Sequence, residues 1–63
     1  MNIISDTDKF RDAANICREM AEIYDELANL SEREEEGEVI PDSKVNEVIG
    51  KFVVLATKMK ALE

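Results

Sequence analysis

Glu19, Glu22 and Glu26 are spaced three and four residues apart, which sets three carboxylates in a row along a helix. Such rows hold Mg2+ when acids from several elements converge inside a bundle. Lys44, Lys51 and Lys58 recur every seventh residue and offer cations to phosphate groups. Cys17 is the single thiol, and the chain has no histidine to activate it or to complete a zinc site of the Cys/His kind. The serine and threonine hydroxyls likewise lack a base, so no nucleophile with its triad can be assembled. Gly37 and Gly50 are isolated, and neither belongs to a phosphate loop. The residue types therefore predict a non-enzymatic protein with no cofactor and no metal.

The elements that position these side chains are helices. Phe10 to Leu30 reads as three seven-residue units, FRDAANI, CREMAEI and YDELANL. With Phe10 lettered a, the a column is Phe10, Cys17 and Tyr24, and the d column Ala13, Met20 and Leu27. The e column is Ala14, Ala21 and Ala28, and the g column Ile16, Ile23 and Leu30. Columns b, c and f are wholly polar. Apolar residues at a, d, e and g mean an amphipathic helix whose stripe is wider than the seam of a two-stranded coiled coil. Such a helix needs more than one neighbour, and the alanine column lets one of them approach closely. Glu19, Glu22 and Glu26 fall at c, f and c, which points them to solvent rather than to a metal. Cys17, Tyr24 and Phe52 are expected in the core, the two aromatics as its central layer.

Ser5, Asp6, Thr7 and Asp8 supply N-cap candidates, so the first helix is expected over about residues 6–31, with the charged SEREEE stretch an acceptable continuation of it. Met1 to Ile4 is an apolar lead-in expected to pack on the bundle end or to fray. An acidic connection follows over residues 32–42, with Gly37 as the helix stop, Pro41 announcing the next start, and Val39 and Ile40 expected to cover the end of the core. The second helix is expected over about residues 43–62, with Val45, Phe52 and Met59 at a, and Val48, Leu55 and Leu62 at d. Gly50 sits mid-helix on its polar face. Val53 and Val54 lie outside its stripe and suggest a second contact surface.

Folding the second helix back antiparallel pairs Leu27 with Val48, Tyr24 with Phe52, Met20 with Leu55, Cys17 with Met59 and Ala13 with Leu62. Their residue numbers add to 75 or 76 throughout, as antiparallel layers of equal rise require. The fold class is all-α, an antiparallel helical hairpin. A chain of 63 residues with a single cysteine has neither a large core nor an internal disulfide. The leftover apolar surface is too large for a monomer in water, so the expected closed form is a homodimeric four-helix bundle. The oligomer or partner interface is then expected at Phe10, Ala14, Ile16, Ala21, Ile23, Ala28, Leu30, Val53 and Val54.

Charge divides between the elements. Residues 5–30 hold seven acids and three bases, residues 31–42 six acids and one base, and residues 43–63 two acids and four bases. Opposite signs on neighbouring helices favour the antiparallel pairing, with lysine stems lying over the seam. The net charge of −7 argues against nucleic acid or an anionic membrane as a direct partner. The start MNIISDTDKF has neither a basic segment nor an apolar run, and the chain reads as cytoplasmic. Glu32, Glu34, Glu35, Glu36 and Glu38 form an acidic patch, read either as a solvated turn that helps solubility or as a site suited to a basic protein surface.

Length and hairpin plan are similar to those of the small plasmid-encoded RNA-binding dimers of helical hairpins, a likeness confined to architecture. Those proteins use a basic helix face for RNA, whereas the outer face of the first helix here is acidic. The leading expectation is a small acidic protein-interaction module, an adaptor or regulator that self-associates through helix faces. The second is an acidic phage-type inhibitor that occupies the basic nucleic-acid groove of a host protein. The third is an inter-subunit site for a small phosphate-containing ligand, held by Lys44, Lys51 and Lys58.

Overall fold

A computed structural model describes residues 6–62 of the chain. The lead-in Met1 to Ile4 and the cap candidate Ser5 lie outside the described residues. Two helices, α1 (Thr7–Glu35) and α2 (Asp42–Ala61), pack against each other as a hairpin. The hairpin measures 53 by 17 by 10 Å across its Cα atoms, so it is a slab little more than one helix thick.

Helix α1 starts at Thr7 with Asp6 at the N-cap and Asp8 in the first turn, where the helix dipole favours a carboxylate. It ends at Glu35, four residues beyond the expected end at 31. Glutamate is an adequate helix former, and nothing before Gly37 interrupts the ladder. The stop at Gly37 holds as expected. Gly37 adopts φ 96°, its N–H donates to the Glu34 carbonyl at 3.0 Å, and the Glu38 N–H donates to the Arg33 carbonyl at 3.0 Å. That pair of bonds is a Schellman motif, which satisfies carbonyls that the helix end leaves open. The Arg33 guanidinium also pairs with the Glu38 carboxylate across the same turn. Helix α2 starts one residue before its expected position, with Pro41 at the N-cap and its carbonyl accepting from the Lys44 and Val45 N–H groups.

The core consists of Ile16, Ile23 and Leu30 from α1, and Val48 and Leu55 from α2. Met20, Leu27, Ile40, Phe52, Met59 and Leu62 pack around it. On α2 the a and d columns face inward as expected. On α1 the buried column is g, flanked by d, and column a is turned outward. This corrects two expectations. Ile16, Ile23 and Leu30, expected at an outer interface, are the hairpin's own core; Cys17 and Tyr24, expected inside, are exposed. The physical reason is side-chain character: column g is wholly branched aliphatic, whereas column a carries the small Cys17 and the Tyr24 hydroxyl. The apolar arc of α1 spans about 160°, wider than one neighbour covers, and α2 takes the sector bearing the large branched side chains. Ile40 covers the end of the core, but Val39 does not and is 88% exposed.

The antiparallel register agrees with the sequence at its centre and at its open end. The Tyr24 and Phe52 rings meet edge to face, and Ala13 and Leu62 line one hollow. Among the described residues, no helix is long and apolar enough to cross a membrane.

Candidate interaction surface

Because α1 has four apolar columns and α2 covers only two of them, the slab has two unlike broad faces. The first carries the a and e columns of α1. Phe10, Tyr24, Ile49 and Val53 are each half exposed or more there, together with Cys17, Ala21 and Ala28. Tyr24, Leu27, Ile49 and Phe52 line one hollow in this face; Lys9, Phe10, Ala13, Met59 and Leu62 line another. From Phe10 to Ala28, and from Val45 to Met59, the a and e columns that make this face hold no charged residue. Val53 follows Ile49 by four residues and stands at its rim, beside Asn46 and Lys60.

The opposite face is ionic. The c column of α1 supplies Asp12, Glu19 and Glu26, and the g column of α2 supplies Lys44, Lys51 and Lys58. Lys44 Nζ lies 2.9 Å from Glu26 Oε1, and Lys51 Nζ 3.9 Å from Glu26 Oε2. Glu47 joins both lysines, 4.0 Å from Lys44 and 3.8 Å from Lys51. Further along, Glu19, Lys51 and Lys58 border one hollow, and Asp12 and Lys58 the next. The hydrogen bond from Lys44 holds the Glu26 carboxyl below its usual range, against a smaller opposing effect of desolvation, with the charges of Lys44 and Lys51 adding to it. The same bond, followed by the charges of Glu26 and Glu47, raises the Lys44 ammonium.

Val54 belongs to this ionic face, where it lines a hollow with Glu19, Ile23, Lys51, Leu55 and Lys58. Val53 and Val54, grouped by the sequence into one contact surface, therefore stand on opposite sides of the slab. Ala14 is half-buried at the edge of the apolar face, and Ala21 and Ala28 are open on it.

Of the acidic patch, Glu32, Glu34 and Glu35 belong to the last turn of α1, Glu36 caps it, and Glu38 follows Gly37. All five are exposed. Arg33 is the one base among them, and it engages Glu38. Glu26 shares Lys44 and Lys51 with Glu47, but among the described residues no cluster of three acid or thiol side chains is placed to hold a metal ion. No protein-family model, curated protein or solved structure matches the chain.

Proposed function

We propose that this chain is a small non-enzymatic protein-interaction module, an adaptor or regulator, that self-associates through its apolar face to complete a four-helix bundle. The observation that carries the reading is the contrast between the two broad faces. One has its charges matched across the helix pair; the other leaves two aromatics, two β-branched residues and a row of alanines open to water. An uninterrupted apolar face of this kind marks an interaction site. A second copy presents a face of the same size and chemistry, and a two-fold dimer lets each serve the other.

Sedimentation equilibrium at low and high salt tests this. Dimers at both salts are expected, because burial of apolar surface is not screened. A helical monomer at hundreds of micromolar would overturn self-association and make the apolar face the seat of a different protein.

A second reading, an acidic inhibitor of a basic protein surface, is favoured by the exposed run Glu32 to Glu38 at the hairpin's closed end. Binding of that kind weakens as salt rises, and changing its five glutamates to glutamine removes it. The phosphate-ligand reading has less support, since Lys44 and Lys51 already engage Glu26 and Glu47.

A further inference from the structure

The apolar face is bordered on α1 by its b column, whose charges follow an order that neither the hairpin nor the proposed function uses. Arg11, Arg18, Asp25 and Glu32 recur every seventh residue, two cations and then two anions. All four are exposed, and none forms an ion pair among the described residues. A column of this order is complementary to itself when a second copy runs antiparallel, and repels itself when the copy runs parallel.

Resting on the self-association proposed above, we infer that the partner is a second copy whose α1 lies antiparallel on α1, about a two-fold axis at Ala21. Antiparallel helices related in this way place like columns opposite one another. Ala21 then meets the partner's Ala21, and Ala14 meets the partner's Ala28, in pairs whose numbers add to 42. Alanine contacts let the helix axes approach to about 8 Å, the close end of the range for packed helices. On the flank, Arg18 faces the partner's Asp25 and Arg11 faces the partner's Glu32, both adding to 43. Each pair occurs twice. One register thus serves the alanines and the charges together.

The competing two-fold arrangement lays α1 over the partner's α2. There the arginines face the outer edge of α2, which holds Asn46, Gly50, Val53, Thr57 and Lys60 and offers no acid. It also brings both acidic turns to one end of the bundle. In the arrangement inferred here Gly37 lies sixteen residues from the axis, so at 1.5 Å per residue the two turns stand about 48 Å apart. A basic partner would meet two separated acidic ends.

A charge exchange tests the arrangement. One variant carries Arg11→Glu with Arg18→Glu, the other Asp25→Arg with Glu32→Arg. Alone, each should self-associate about tenfold or more weakly than the native chain, because four flanking pairs turn repulsive at a few tenths of a kcal/mol each. Mixed in equal amounts, they should form a heterodimer with near-native affinity, since every pair is restored. Global charge alone predicts otherwise. The second variant is less negative than the native chain and on that ground would associate more tightly. Circular dichroism checks that both variants stay helical.

As an independent measure, Ala21→Cys in a Cys17→Ser background should form an intermolecular disulfide under mild oxidation. Ala14→Cys and Ala28→Cys should cross-link to each other when mixed and not to themselves. A native dimer whose variants associate normally, with no preference for the mixture and no link through position 21, overturns the arrangement while leaving self-association standing. A native monomer overturns both.

Discussion

Tyr24 and Phe52 meet edge to face across the hairpin, with ring centroids 5.7 Å apart and planes at 75°, yet Tyr24 is 59% exposed while its chain neighbour Ile23 is 5% exposed. Adjacent positions on one helix thus serve different surfaces. Ile23→Ala removes core volume and should destabilise the chain by ~2–4 kcal/mol, enough to unfold so small a domain at 25 °C. Tyr24→Phe keeps the ring contact and should change stability by less than about 0.5 kcal/mol, whereas Tyr24→Ala should cost ~1 kcal/mol. Urea denaturation followed by circular dichroism compares the three. Equal losses at positions 23 and 24 would contradict the placement of the core.

The two glycines should respond with opposite signs. Gly50 lies within α2, and a Cβ built there meets nothing within 4 Å, so Gly50→Ala should stabilise by about 0.5–1 kcal/mol. Gly37→Ala also meets no atom, but φ 96° strains any L side chain, and a loss of about 1 kcal/mol is expected. The two thermal midpoints, read at one protein concentration, decide this.

Glu26 and Lys44 set limits on the pH range of the ionic face. The Glu26 pKa is lowered from 4.5, so its contribution to stability is intact above that value and fades as pH falls through the folded-state value below it. The Lys44 pKa is raised from 10.5, so its contribution is intact below that value and is lost as pH climbs through the folded-state value above it. An NMR titration of the Glu26 carboxyl should show a midpoint below 4.5 that moves back towards it in Lys44→Met. An unmoved midpoint would mean that Lys44 is not the cause.

Cys17 is exposed in the hairpin but stands on the apolar face between Phe10 and Tyr24. A thiol reagent should label it rapidly in dilute protein and more slowly as the concentration rises, since in the proposed dimer a second copy covers that column. A rate independent of concentration would count against burial of the face by self-association.

Much of the hairpin was legible because one neighbour decides it. The stripe of α2 at Val48 and Leu55, the meeting of Tyr24 with Phe52 and the stop at Gly37 all follow from spacing and turn chemistry. The facing of α1 was not, because its apolar arc admits more than one choice. Heptad letters favour column a, whereas packing selects column g, where Ile16, Ile23 and Leu30 are all branched aliphatics while column a mixes Phe10 and the hydroxyl-bearing Tyr24 with the small Cys17. The split of Val53 from Val54 was hidden for a related reason. An apolar run shows that both sides of a helix are greasy, but not which neighbour each side meets. The end of α1 lies four residues beyond 31, within the SEREEE continuation, because a run of glutamates reads equally as helix or connection until the Schellman bonds at Gly37 are in view.

The tight reversal from Glu36 to Pro41 also sets the order of events in time. With so few residues between α1 and α2, closing the hairpin is a local search, and loops of about ten residues close in ~10–100 ns. Meeting another molecule is slower and depends on how many are present. A slab one helix thick has little interior of its own, so under the proposed self-association its two helices would join early and weakly, and lasting structure would arrive with the second chain. Dilution would then act on this protein as a denaturant does on a larger one.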